Sequence, residues 1–392
     1  MTDHHKVKLT SVCDFQGGSQ PPKKYWITAP KEGYIRMLQI RDFTQQNITS
    51  EYIPISNRNK VCEEEDILIA RYGASVGKIV TGLSGAYNVA LMKTIPDPTK
   101  LEKRYLYYFL LSNNFQRFIR NIGSRSAQAG FNKKDLDKVN IFLPSMKEQK
   151  SIVKVLDNCK LLIEQRQQQI EAISLLQQSI YNKMFMEKQN DQSEVLLKDV
   201  CSINPRKSEI EEELHDLEIS FIPMVSVSED GDIDLNESRI LKEVYRNYTY
   251  FAENDILFAK ITPCMENGKG AIARGLQNKI GFGSSEFHVL RPKKGTTPEW
   301  VYFLTKSKKF RKTAEENMTG SAGQKRVPRK FLENYPVMLP SKSKQEEFKN
   351  IYYKTEKNKQ VLNESLRELE KLNASLLQKA FNGELFNNKV NI

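Results

Sequence analysis

Leu143-Pro144-Ser145 and Leu339-Pro340-Ser341 spell the same tripeptide 196 residues apart, and each opens onto a long stretch with almost no Gly or Pro. In the first stretch, Lys147–Met186, the positions Ile152, Leu156, Cys159, Ile163, Arg166, Ile170, Ile173, Gln177, Ile180 and Met184 step by four and three in turn. The second repeats the stepping through Phe348, Tyr352, Thr355, Lys359, Leu362, Leu366, Leu369, Asn373, Leu376 and Ala380. A three-four alternation keeps one helix face turned to a partner, so it predicts a left-handed coiled coil. At ~1.5 Å per residue each stretch makes a rod of roughly 57 Å. Arg166, Gln177, Lys359 and Asn373 are polar positions on the seam; such residues cost stability and fix register. The plainer alternative is two unrelated helices, each packed on its own domain.

Upstream of the tripeptides the two halves go on matching. Val7, Leu9, Val12 and Cys13 align with Val195, Leu197, Val200 and Cys201 at an offset of 188. Asp66-Ile-Leu-Ile-Ala-Arg71 aligns with Asp255-Ile-Leu-Phe-Ala-Lys260 at 189, and Tyr107, Ser112 and Phe115 with Tyr302, Ser307 and Phe310 at 195. Between Ser126–Ser145 and Ala322–Ser341, identical pairs include Gln128/Gln324, Lys134/Lys330 and Leu136/Leu332. An offset that drifts slowly one way is the mark of a duplicated module with a few loop insertions. Within a copy, β-rich runs (Tyr34–Ile40, Asp66–Arg71, Val139–Leu143) alternate with Gly, Pro and Asn clusters, which predicts strands and turns. One helix is expected over Leu101–Ile122, and its counterpart after Pro298.

The 392 residues suffice for two or three domains. Lys+Arg is 60 against 48 Asp+Glu, a net charge of +12, which favours a polyanionic partner such as nucleic acid. Charged residues at 28% and apolar residues at 39% fit a folded soluble chain. The five cysteines, Cys13, Cys62, Cys159, Cys201 and Cys264, are odd in number and form no Cys-x-x-Cys. That argues against a disulfide framework and a zinc site, and suits a reducing cytosol. Met1–Leu9 has no apolar signal core, and no run approaches the ~18 apolar residues of a membrane span.

Catalytic motifs fail on inspection. Gly73-Ala-Ser-Val-Gly77-Lys78 is one residue short of a phosphate-binding P-loop, and Ile79 stands where Ser or Thr would bind Mg²⁺. Gln20-Pro21-Pro22-Lys23 has Gln where the Asp or Asn of an amino-methyltransferase loop would stand, and Lys23 in place of its aromatic. Pro96-Asp97 with Glu102-Lys103-Arg104 lacks a nuclease Glu-x-Lys pair, and His4, His5, His215 and His288 show no ligand spacing. No catalytic residue and no metal ligand is therefore nominated.

What recurs instead is basic loops at matched points of the two copies. Gly17–Tyr25, with Lys23 and Lys24, faces Asn204–Lys207, with Arg206 and Lys207. Ala70–Lys78, carrying Arg71, Tyr72, Ser75 and Lys78, faces Lys260–Lys269 with Lys260 and Lys269. Gly123–Lys134, with Arg125, Gln128 and Lys133, faces Gly320–Lys330 with Gln324, Lys325, Arg326 and Arg329. Gln pairs with adenine and Arg with guanine in the major groove, while Lys and Ser mostly hold phosphates. The Gly-Lys turns are expected to add backbone N–H groups to the phosphate contacts. A solvated charged loop explains any one cluster; three recurring clusters favour DNA.

Together the module–helix–module–helix order, Asp66-Ile-Leu-Ile-Ala-Arg-Tyr-Gly-Ala-Ser-Val-Gly-Lys78, Leu143-Pro-Ser-Met-Lys-Glu-Gln149, Leu339-Pro-Ser-Lys-Ser-Lys-Gln345 and Leu376-Leu-Gln-Lys-Ala-Phe-Asn-Gly-Glu-Leu385 resemble the specificity subunit (HsdS) of type I restriction–modification systems. The resemblance implies mixed α/β target-recognition modules in two copies, separated by two long antiparallel coiled-coil helices. Their expected bounds are 1–145, 146–188, 189–341 and 342–386. It implies double-stranded DNA read as two half-sites and two modification (methyltransferase) subunits docked on the helices. It also implies restriction/translocase subunits that complete the assembly. S-adenosylmethionine, ATP and Mg²⁺ are expected on those partners and none on this chain, in a prokaryotic cytoplasm. Leu161, Leu162, Leu175 and Leu176 lie off the seam and are the expected partner-binding positions. The second copy departs from the Gly-Ala-Ser-Val-Gly-Lys spelling and carries an acidic run, Glu209 to Glu213, as different half-sites would allow. The rival readings are a free-standing methyltransferase or nuclease with atypical motifs, and a coiled-coil scaffold that binds no DNA.

Overall fold

A Ser-x-x-Glu sequence ahead of an uninterrupted run is a helix start, because the hydroxyl and the carboxylate satisfy each other's main-chain N–H. Ser145 and Glu148 do this in the computed structural model: Glu148 Oε2 accepts from the Ser145 N–H (3.0 Å) and hydroxyl (2.8 Å), and the Glu148 N–H donates to Ser145 Oγ (3.3 Å). The structure describes residues 6–45, 47–123, 130–186, 193–214, 216–321 and 323–386. The first long helix runs Met146–Phe185 and the second Lys342–Asn382. The second stops at Gly383, whose φ of +80° lets the Glu384 N–H turn back to Lys379 O at 2.8 Å.

Contacts divide the chain into two units, Met1–Gln165 with Ser365–Ile392, and Arg166–Glu364. In the first, the strands are β1 (Lys6–Lys8), β2 (Cys13–Gly17), β3 (Tyr34–Leu38), β4 (Tyr52–Pro54), β5 (Val61–Cys62), β6 (Leu68–Ala70), β7 (Ile79–Val80), β8 (Gly85–Tyr87), β9 (Leu91–Pro96) and β10 (Asn140–Phe142). In the second they are β11 (Ser193–Leu196), β12 (Cys201–Ile203), β13 (Glu218–Ile222), β14 (Ser238–Ile240), β15 (Thr249–Ala252), β16 (Ile256–Ala259), β17 (Gly270–Ile272), β18 (Ile280–Gly283), β19 (Phe287–Pro292) and β20 (Pro336–Leu339). The first unit has sheets β2-β9-β6-β7 and β4-β3-β8-β5 and the pair β1-β10; the second has β12-β19-β16-β17, β14-β13-β18-β15 and β11-β20. Adding ten to each strand number converts one pattern into the other. The parallel pairings, β3 with β8 and β13 with β18, correspond as well.

The single helix expected over Leu101–Ile122 is two, Lys103–Leu111 and Asn113–Gly123. The break is Ser112, in extended conformation (φ −64°, ψ 151°), with its hydroxyl donating to Phe109 O at 2.6 Å. Ser307 breaks the second copy the same way, between Pro298–Lys306 and Lys308–Glu316, and caps the latter through Phe310 N–H. Serine competes with the helix for main-chain partners, and that local effect outweighed the apolar periodicity. Pro298 is itself the first helical residue, a position where its missing N–H costs nothing.

The seam positions are the less exposed faces of both long helices. In the first unit Ile152 and Leu156 share a core with Ala380 and Phe381, and Cys159 Sγ lies 3.8 Å from Leu369 O. In the second, Gln177 Nε2 donates to Thr355 Oγ1 and Glu356 Oε1, both at 2.8 Å, and Tyr181 packs on Phe348. Numbers rise along one helix as they fall along the other, so in each unit the pair is antiparallel. Two unrelated helices are thereby excluded.

Candidate nucleic-acid interface

The site begins with how each sheet hands its loops over. In the turn between β6 and β7, Gly77 N–H donates to Ala70 O, Val76 N–H to Gly73 O and Lys78 N–H to Ser75 O. Gly73 and Gly77 take φ of +74° and +83°, which side chains disfavour. The matching turn bonds Asn267, Gly268 and Lys269 N–H to Pro263, Met265 and Cys264 O, all at 2.9 Å. These amides are occupied inside their own turns. Within each turn they hold the loop's shape and are not free donors.

The second and third basic loops meet in both units through one equivalent bond. Phe131 N–H donates to Arg71 O at 3.3 Å, and Val327 N–H donates to Lys260 O at 2.9 Å. Bridges Tyr72–Gly130 and Ile261–Arg326 flank these bonds. The first loop joins them differently in each unit. In the first, a Cβ on Gly17 would lie 2.9 Å from Arg71 Nη1, so the chain passes close against that guanidinium. In the second, Asn204 Nδ2 reaches His288 Nδ1 at 3.1 Å, and His288 Nε2 reaches Val327 O at 2.8 Å.

The nominated side chains fall into two sets. Lys23, Lys24, Tyr72, Lys78, Arg206, Gln324 and Lys325 are exposed. Lys23 lies over the Trp26 ring and Lys24 over Tyr25, which holds both ammonium groups near aromatic faces. Ser75 and Arg71 are half-buried; Arg71 stacks on Tyr72 and donates to Phe131 O.

The other set is held by the protein. Lys133 pairs with Asp14 and, through that hydrogen bond, holds its carboxyl below the usual range. Lys207 donates to Tyr245 O and Arg246 O, and Lys260 to Ser285 O; burial lowers the pKa of both lysines. Lys269 donates to Met224 O at 3.3 Å. Arg326 forms a two-bond fork with Glu286, 2.9 Å each, and Arg329 bonds Glu333 at 2.8 Å. Arg125 and Gln128 lie outside the described residues. Leu161, Leu162, Leu175 and Leu176 are all at least half exposed on the first long helix.

Sequence reasoning missed the groups that fix the reading modules to the helices. Gln149 is fully buried; its Oε1 accepts from Glu102 N–H (2.9 Å) and its Nε2 donates to Lys100 O (2.8 Å) and Pro144 O (2.9 Å). Gln345 repeats the clamp on Thr297 N–H (2.9 Å), Gly295 O (3.3 Å) and Pro340 O (3.0 Å). The signal was their common place in the tripeptide motif. Asp66 and Asp255, which open the repeated Asp-Ile-Leu run, are also structural. Asp66 holds Lys93 and Lys103, and Asp255 holds Arg291.

Burial pushes the Cys13 and Cys201 thiols up to about 12 and the Cys62 thiol to about 11, so none of the three is a ready nucleophile. Among the described residues no three His, Cys, Asp or Glu gather as metal ligands, and no helix is long and apolar enough to cross a membrane.

The family model for the type I restriction modification DNA specificity domain matches residues 1–172 and again 190–371, once in each copy. The EcoEI specificity subunit of Escherichia coli is 42% identical over 154 residues, 38% of this chain and 25% of that protein. The EcoAI specificity subunit of the same species is 47% identical over 150 residues, again 38% and 25%. The matches thus span about a quarter of the length of these relatives. A solved chain from a study of complex assembly in a type I restriction–modification system superposes with a TM-score of 0.58, at 16% identity, over 98% of this chain and 99% of that one. At that identity the likeness is one of fold.

Proposed function

This chain belongs to the type I restriction–modification DNA specificity family, and we propose that it is the subunit that tells such a complex where to act. Each unit reads one half of a bipartite site on double-stranded DNA. The long helices set the spacing of the half-sites and present Leu161, Leu162, Leu175 and Leu176 to two modification subunits. Those subunits bring the methyl donor, and restriction subunits join them in the cytoplasm of a prokaryotic cell. The chain itself only binds. Its exposed lysines neutralise phosphates, and Gln324 and its neighbours reach base edges.

The observation that carries this reading is the equivalent bond, Phe131 to Arg71 and Val327 to Lys260, which gathers the basic loops in both units. A scaffold has no need to gather basic loops twice. The test is methylation mapping in cells that carry this chain with its partners, before and after residues 195–339 are replaced by another member's second module. One half of the methylated site should change and the other should stay. A change in both halves, or in neither, rejects modular reading.

A further inference from the structure

We propose that His288 is a positioning residue for DNA reading by the second unit: it ties the Gly323–Arg329 loop to the Asn204–Lys207 loop in the arrangement that meets the bases. This rests on the DNA reading above and adds what holds the reader together.

The argument is one of hydrogen-bond roles. Val327 O can only accept, so the His288 ring proton sits on Nε2, which donates to it at 2.8 Å. In the neutral ring Nδ1 is then the acceptor; Asn204 Nδ2 donates to it from 3.1 Å, while Asn204 Oδ1, 3.4 Å from Nδ1, accepts from Val289 N–H at 2.9 Å. Val327 in turn donates to Lys260 O. One neutral imidazole thus links all three basic loops of the unit. Asn204 holds its place in the left-handed region, φ +54°.

Among the described residues the first unit has no histidine to make this link. His288 pairs across the sheet with Phe258, and the residue in the same register there is Met92, opposite Ile69.

An imidazolium would put a second N–H in place of the Nδ1 acceptor and end the 3.1 Å bond from Asn204 Nδ2. Burial, first of all, holds the His288 pKa down to about 4. The charges facing it are Lys260 from the end of β16, Arg329 from the helix after the loop, and Glu286 just before β19. The two cations oppose protonation and Glu286 favours it; Asn204, the residue just after β12, is uncharged. A base held below its ordinary value closes the loop fully above about pH 6.5, and the contribution is lost as pH falls toward 4. At about pH 5.5 opening becomes about tenfold easier.

The experiment uses the full chain and a duplex DNA library with randomised positions, selected at about pH 7.5 and about pH 5.5, on either side of the ordinary histidine value. Wild-type protein should lose up to about tenfold of its preference at the second unit's half-site in acid and keep its preference at the first. His288→Met, copying the first unit, should lose about as much at both pH values. His288→Gln, which can donate to Val327 O but does not titrate, should restore the preference and abolish the pH dependence. Equal losses at both half-sites, or an acid-insensitive second half-site in the wild-type protein, overturn the proposal. The wild-type profile decides even if His288→Met does not fold. Enrichment of no sequence by wild-type protein overturns the DNA reading and this proposal with it.

Discussion

The two units share a strand order, a serine break and a glutamine clamp, yet they hold their loops by different means. In the first, Arg71 stacks on Tyr72 and donates to Phe131 O, serving as both strut and surface cation. In the second, its counterpart Lys260 is turned into Ser285 O, and the tying passes to His288 and to the Arg326–Glu286 fork. The difference separates two kinds of position. A buried amide that satisfies three main-chain groups has almost no substitute, so Gln149 and Gln345 match. A loop facing solvent can be braced in many ways, and bracing it differently moves the side chains it presents.

The clamp is where the units should behave most alike. Gln149→Leu and Gln345→Leu each strand one main-chain N–H and two carbonyls, at a cost of about 3 kcal/mol or more. Urea denaturation followed by hydrogen exchange should show each loss in its own unit. Clearly unequal losses would break the equivalence. At the loops the units should diverge. Gln324→Ala should cost ~1–3 kcal/mol on the preferred second half-site and little on random DNA. Equal losses on both, measured by fluorescence anisotropy, remove Gln324 from base reading. The docking leucines come next: Leu161→Lys/Leu176→Lys should leave DNA preference intact and weaken capture of a modification subunit, because both side chains are half exposed. The smallest effect separates two matched lysines. Lys78 is exposed, while Lys269 already donates to Met224 O. Lys78→Ala should flatten the salt dependence of binding by roughly one phosphate contact, and Lys269→Ala by less. Identical slopes would mean that the turns act alike.

Much of the fold was legible because duplication leaves a long record. The stepping through Phe348, Lys359 and Ala380 named the buried face, down to a lysine that is nearly covered. The serine breaks were visible only as one more matched pair, since apolar spacing runs straight across Ser112 and Ser307. The site was legible as loops and not as atoms. A Lys in a basic run reads the same whether its ammonium meets water, like Lys78, or a carbonyl, like Lys207. What decides is a segment far along the chain: the main-chain carbonyls of Tyr245 and Arg246 for Lys207, the carboxylate of Asp14 for Lys133. His288 went unread for the same reason. Its partners Asn204 and Val327 lie 84 and 39 residues away, on either side.

Phe381 lies against Tyr105 and Phe109, with ring centroids 5.0 and 5.5 Å away, inside the first unit's core. On the ribosome, then, the module made first is the one completed last. Its apolar floor stays open until Phe381 has emerged, whereas the second unit draws only on residues from Arg166 to Glu364. A premature stop just beyond residue 364 would therefore spare the later-made half and leave the earlier one exposed to proteases and aggregation.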